Sequence, residues 1–325
     1  MSTALFPATA YLLVCHGSRD PRPAQAAERL AQFVRECLEN QPKAAGSGAV
    51  ALRPLPSSLG EGSRDLGLFE RLPTQASPAQ PGGGAPNPER RYVNYLPLVG
   101  TACLETGALP LHQQIVNFGQ RAAAAGIAEI RIVPIFLLRG VHVLHDLPTE
   151  VQTAQPLLPN VTLTLTPPLG DHSGLWQLVR ARLQTATADT WLLLAHGSRR
   201  AEGNRSIQAL AQALGGNAAY WAVPPHLETQ IIHLIQQGVQ RLAILPYFLF
   251  TGTTTDAIIQ RTEELAERFP GLGIHLLPPL GPSPELAQLV ADLALGHSPA
   301  KVAQPLVSLK RMARRSALQP SSMVS

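Results

Sequence analysis

Cysteine is scarce in this chain: three in 325 residues, at Cys15, Cys37 and Cys103. No two stand in a CxxC or CxxxC spacing. That argues against a disulfide framework, a zinc knuckle or a cysteine-ligated iron–sulfur cluster. A reducing, cytoplasmic compartment is the simplest expectation. Long hydrophobic runs are missing too. No window of about 18 residues is continuously apolar, so no membrane span is expected. The opening stretch MSTALFPATA has no basic segment followed by a long apolar one, so no signal peptide is expected. A basic folded body is also absent, although the formal net charge is +4. Residues 297–325 hold five basic groups and no acid, and residues 40–91 hold six basic and four acidic groups. Removing those contributions of +5 and +2 leaves about −3 for the rest. Nucleic-acid binding thereby loses its main electrostatic support.

What is present is repetition. LLVCHGSRD at 12–20 returns as LLLAHGSRR at 192–200. RIVPIFLLRG (131–140) matches AILPYFLFTG (243–252), and TPPLGDHSGLWQLV (166–179) matches LPPLGPSPELAQLV (277–290). The order HGSR, PxFLxxG, PPLG thus occurs twice. A unit of this size is a duplicated domain, because solenoid repeats have periods of about 20–50 residues. The HGSR offset of 180, against 112 for the second pair, leaves roughly 70 extra residues in the first copy. Most fall in the Gly/Pro/Ser-rich stretch about 41–90, read as a flexible insertion.

Short apolar runs alternate with helical patterns in both copies. The first reads as strands 11–15, 93–103, 129–136 and 161–166, with helices 23–39, 110–125, 143–155 and 173–186. The second reads as strands 191–195, 218–222, 241–248 and 273–278, with helices 202–214, 226–239, 255–268 and 283–295. Such alternation predicts an α/β protein with parallel sheets covered on both faces. The expected organisation is an N-terminal domain at 1–186, a C-terminal domain at 187–296 and a disordered basic tail at 297–325.

Ligands of an open parallel sheet bind beyond the carboxyl ends of its strands, where the strand order reverses. In a flavodoxin-like order, strands 1 and 3 flank that crevice. His16 follows strand 1 and His142 follows strand 3, so residues far apart in sequence become neighbours. The segment TACLETGALP can bring Glu105 to the same rim. Two imidazoles facing one crevice suit a first-row transition metal, a proton-transfer pair, or both, and with the carboxylate they make a workable site for a divalent ion such as Fe²⁺ or Co²⁺. Singly, each of these residues would be an ordinary strand-end or loop residue. Ser18 and Arg19 sit near a helix start, a position that favours anions, with Arg22 and Arg139 close by. His145 and Asp146 read as helix-start and capping residues.

Together, CHGSRDP (15–21), VPIFLLRGVHVLHDLP (133–148), LPYFLFTGTTTDAI (245–258) and the paired PPLG segments resemble the class II chelatases of the sirohydrochlorin and cobalt-chelatase group (CbiX/SirB type), in their two-domain long form. The resemblance covers about 10–40 and 92–296. It implies two tandem three-layer αβα domains, each with a four-stranded parallel sheet. It also implies a cytoplasmic lyase that inserts Fe²⁺ or Co²⁺ into sirohydrochlorin or a related acidic tetrapyrrole, on a path to siroheme or cobalamin. His16 and His142 would be the catalytic and metal-binding pair, assisted by Glu105. Ser18, Arg19 and Arg139 would receive substrate carboxylates. Metal is then a substrate and no permanently bound cofactor is expected. The partner is a small molecule, with neither nucleic acid nor membrane involved. In the second copy Thr254 stands where His142 would be, Trp221 lies at the end of its second strand, and His196 survives alone. That domain reads as a degenerate partner that forms the other wall of the cleft. A non-catalytic metal or tetrapyrrole carrier is the alternative. A histidine phosphatase is disfavoured, because Cys15 stands where an arginine would precede the histidine.

Overall fold

The computed structural model describes residues 9–40, 97–199 and 201–297. The insertion expected at about 41–90, and the tail beyond His297, lie outside the described residues. The first half contains β1 (Thr9–Cys15), α1 (Pro21–Glu39), β2 (Val99–Cys103), α2 (Leu111–Ala124), β3 (Glu129–Pro134), α3 (Leu147–Ala154), β4 (Thr162–Leu165) and α4 (Gly174–Leu183). The second contains β5 (Thr190–Ala195), α5 (Ala201–Ala213), β6 (Asn217–Tyr220), α6 (Leu227–Gln236), β7 (Arg241–Pro246), α7 (Thr253–Arg268), β8 (Gly273–Leu276) and α8 (Pro284–Leu295). Two four-stranded sheets result, ordered β2-β1-β3-β4 and β6-β5-β7-β8, with every pairing parallel.

The apolar runs are explained by burial on both faces. Along β1, Ala10, Leu12 and Val14 enter a cluster with Ile115 of α2 and Leu147 of α3. Tyr11 and Leu13 enter a different cluster on the other face. Alternating side chains therefore all need apolar partners, and the period-2 signal of a half-wet strand disappears. The same holds for β5, where Leu192 and Leu194 pack outward and Leu193 inward.

The inner clusters of the two halves are one. Leu30 and Val34 of α1 share a core with Leu178 and Val179 of α4, Ile207 of α5 and Val290 of α8. Helices α1 and α8 lie directly against each other. Each such fully buried aliphatic side chain stabilises the fold by about 1.5–3 kcal/mol. The repeats are thus two sheets around a common centre rather than two beads on a string.

Polar groups bridge the halves as well. Arg22 Nη1 and Nη2 donate to both carboxylate oxygens of Asp256, at 3.0 and 2.5 Å. Arg131 donates to the carbonyl of Ala294 at 2.9 Å, and Arg182 to that of Leu280 at 3.2 Å. Among the described residues, no helix is long and apolar enough to cross a membrane.

Candidate metal centre

The first sheet delivers three donors to one spot through backbone register. Pairing of β1 with β2 continues past the strand ends: Leu104 N donates to Cys15 O at 2.9 Å, and Glu105 N to His16 O at 2.8 Å. On the other side, Ile135 N donates to Val14 O at 2.8 Å, holding the end of β3 beside the end of β1. The chain then turns back as a π-helical turn, His142–Asp146, ahead of α3. This turn replaces the start of the helix expected at 143–155. Wide π turns are frequent at functional sites. Here it sets His142 over the crevice.

The close approach of the two loops has a backbone cause. Gly17 has φ +98°, and a Cβ there would fall 1.9 Å from the carbonyl oxygen of Glu105. Thr106, immediately after Glu105, has φ 58°, a left-handed conformation costly for a β-branched residue. Glycine at 17 and strain at 106 together fix where the Glu105 carboxylate emerges.

The result is a compact donor set. His16 Nδ1 lies 3.9 Å from Glu105 Oε2, and His142 Nε2 lies 4.0 Å from Glu105 Oε1. The two imidazoles meet edge to face, with centroids 4.9 Å apart and planes at 86°. One ligand atom from each residue falls within 4.8 Å of the others. Bonds of about 2.0–2.2 Å to one ion need only a small closing movement from there. Side-chain exposures of 51% for His16, 50% for Glu105 and 37% for His142 leave the cluster open to solvent. Structural metal sites are closed, so an open one suits an ion that comes and goes.

Asp146 supports this set, a role the sequence reading did not give it. Its expected capping role is not what the structure shows: its side chain makes no cap hydrogen bond. Instead Asp146 Oδ2 pairs with His142 Nδ1 at 2.7 Å. That partner fixes the ring and directs Nε2 toward Glu105, as carboxylates behind metal-bound histidines do. The legible signal was the i, i+4 spacing of HVLHD, which places 142 and 146 on one face of a helical turn. His145 is exposed.

The groups expected to receive substrate carboxylates are less uniform. Ser18 and Arg19 are exposed, with Ser18 at the cavity wall. Ser18 Oγ accepts from Asp20 N at 3.1 Å. The start of α1 is taken by the chain's own anion, since Asp20 Oδ1 accepts from Arg22 N at 3.0 Å. Arg139 forks onto Asp171, with Nε 2.7 and 2.9 Å from the two carboxylate oxygens, so its charge is already answered. Arg22 is held between Asp20 and Asp256.

A cavity of about 400 Å³ adjoins the cluster and is lined by both halves of the molecule. Cys15, His16, Phe136 and His142 come from the first, and His196 and Phe248 from the second. Burial, reinforced by Cys103 beside it, pushes the Cys15 thiol up to about 12. A protonated thiol is a poor metal ligand, so the donors are the imidazoles and the carboxylate.

The second sheet repeats the scaffold and keeps His196, but not counterparts of Glu105 and His142. Trp221 N donates to Ala195 O and Ala222 N to His196 O, at 2.9 and 2.8 Å, as Leu104 and Glu105 do to Cys15 and His16. Ala222, rather than Trp221, therefore stands at the position of Glu105. Gly197, with φ +85°, repeats Gly17.

Fold and site together define a tandem αβα protein with, among the described residues, one complete His–His–carboxylate centre opening onto a cleft between its halves. The CbiX family profile matches residues 95–186 and 190–295, and the chain belongs to that family. It is similar to the sirohydrochlorin ferrochelatase of Priestia megaterium, 28% identical over 155 residues, which are 43% of this chain and 58% of that one. It is also similar to the sirohydrochlorin cobaltochelatase of the same organism, 27% identical over 183 residues, 51% of this chain and 58% of that one. The chain thus spans 58% of the length of these two curated relatives. The solved structure of SirB from Bacillus subtilis with Fe³⁺ superposes with a TM-score of 0.60 at 18% identity, covering 90% of this chain and 96% of that one, which shows the shared fold.

Proposed function

We propose that this protein inserts a divalent metal ion, Fe²⁺ or Co²⁺, into sirohydrochlorin or a related acidic tetrapyrrole, serving siroheme or cobalamin biosynthesis. The observation that carries this reading is the open His16–Glu105–His142 cluster at the mouth of an apolar interdomain cavity. The two Priestia megaterium relatives, a sirohydrochlorin ferrochelatase and a sirohydrochlorin cobaltochelatase, support it.

The reaction exchanges two pyrrole protons for one M²⁺. Neutral imidazoles at His16 and His142 bind the incoming ion, and Glu105 offsets part of its charge. Asp146 holds His142 in the tautomer that presents Nε2. Apolar walls at Phe136 and Phe248 accept the macrocycle faces and exclude water from the exchange. Ser18 and Arg19, exposed at the rim, are placed to meet peripheral carboxylates.

Purified protein is to be incubated anaerobically with sirohydrochlorin and Fe²⁺, Co²⁺ or Ni²⁺ in turn, following the visible spectrum. Multiple turnovers that vanish in His142→Ala are expected. Stoichiometric binding of metal or tetrapyrrole without turnover would replace the enzyme with a carrier.

A further inference from the structure

The cavity is walled by two copies of the same motif, and among the described residues only one copy keeps a metal set. His16 and His196 end equivalent strands, β1 and β5, and both line the cavity. Phe136 and Phe248 face it from equivalent positions after β3 and β7. In the second copy Ala222 takes the ladder position of Glu105, and Thr254 stands at the sequence position of His142. His196 is exposed. Among the described residues, none holds its ring by a hydrogen bond or an ion pair.

An imidazole without ligand partners is a poor metal site but an available base. The reaction needs such a base. A nitrogen lone pair that coordinates the ion cannot also take a proton. His16 and His142 are therefore occupied when the pyrrole N–H bonds must break. A flat macrocycle between the two walls presents one face to the His16–His142 side and the other to the His196 side.

We infer that His196, from the second domain, accepts pyrrole protons on the face of the macrocycle opposite the metal. This rests on the chelatase reading above. In the step, an N–H bond breaks, its electron pair stays on the pyrrole nitrogen and forms the bond to M²⁺, and the proton goes to an imidazole nitrogen of His196. The imidazolium then releases it to water, ready for the second proton. No oxidant or reductant is required. The active site is then composite, and the degenerate half supplies chemistry as well as a wall.

The test compares native protein, His196→Ala and His196→Gln, each checked for native melting. The expected result for both variants is a fall in kcat for metal insertion of about 10²-fold, the lower end of what a positioned acid–base group contributes. KM for the tetrapyrrole should change little. Co²⁺ binding, titrated by its visible absorption without tetrapyrrole, should stay within threefold of native. Added imidazole should restore His196→Ala in proportion to its concentration and leave the native rate unchanged. A His196→Ala rate within threefold of native would overturn the inference. So would a loss matched by an equal loss of Co²⁺ affinity, or a loss that imidazole does not rescue. If the native chain inserts no metal at all, the parent reading falls and this one with it. An active native chain with an equally active His196→Ala refutes this inference alone.

Discussion

At the scale of single residues, the decisive fact is a carboxylate shared between two imidazoles at 3.9 and 4.0 Å. Removing either ring leaves two donors where three converge. His16→Ala and His142→Ala are therefore expected to lower metal-insertion rate by about 10²- to 10⁴-fold on folded protein. Both side chains are open to solvent, His16 just past β1 and His142 in the π turn, so melting temperature should barely move. Asp146 tests the supporting contact. Asp146→Asn keeps an acceptor for His142 Nδ1 but removes its charge, and Asp146→Ala removes both. A loss of about 10- to 100-fold in Co²⁺ affinity is expected for Asp146→Ala, with Asn intermediate. Equal affinities in a Co²⁺ titration of native and Asp146→Ala would show that the His142 ring is held by its packing alone. Arg139 is the contrasting case. Its bidentate partner Asp171 was not visible in the sequence, since 32 residues separate them and they lie in two different motifs.

At the scale of elements, register does the positioning. The sequence marks β1, its HGS exit and the β2 region, but not that the ladder runs on through Glu105 N to His16 O. Nor does spacing reveal the π turn at His142–Asp146, because one extra residue per turn leaves the apolar pattern of Val143 and Leu147 intact. Gly17 is where its loop approaches the backbone of Glu105 most closely. Gly17→Ala forces a Cβ into the space of the Glu105 carbonyl oxygen and strains φ +98°. The expected outcome is displacement of Glu105. Co²⁺ affinity and insertion rate should both fall at least tenfold, with destabilisation of about 1–3 kcal/mol in denaturant unfolding. A variant indistinguishable from native on both measures would mean the loop relaxes without moving the ligand.

At the scale of the whole molecule, the two sheets are locked by a common core and by a charged clamp at the cleft. Asp20 and Asp256 both hold Arg22, and hydrogen bonding to that guanidinium lowers both carboxyls, Asp20 to about 2. The unfolded chain, with Asp near 3.8, then binds more protons than the folded one as pH falls below about 4. The clamp's stabilisation is present above that range and is lost as pH drops toward about 2. Arg22→Gln should melt below native at pH 7, and the gap should narrow as pH falls from about 4 toward about 2. A constant gap would deny the clamp its ionic character. A second interdomain group acts at higher pH. His172 is buried, its Nδ1 accepts from Gly174 N at 2.9 Å, and its Nε2 lies 3.7 Å from Asp292 of α8. Burial lowers its pKa, with Asp292 partly opposing. The folded state keeps it neutral while the unfolded chain protonates below about 6.5, so stability falls as pH drops below that value. His172→Gln should flatten the dependence of melting temperature on pH below about 6.5. An unchanged slope would place that titration elsewhere.

Contiguous residues were enough to reveal the duplicated α/β scaffold, the strand exits at His16 and His196, the placing of His142 after the third strand, and the loss of partners in the second copy. These follow from local chemistry: strand and helix periods, strand exits and motif identity are written in contiguous residues. The folded molecule was needed to show that Glu105 completes the triad, that Asp146 turns toward His142, that Arg22 and Arg139 are held in ion pairs, and that His196 lines the same cavity as the metal set. Each of these depends on how two strands register or how two repeats meet. That geometry is set by burying α1 and α8 in one core, not by any pattern within either repeat.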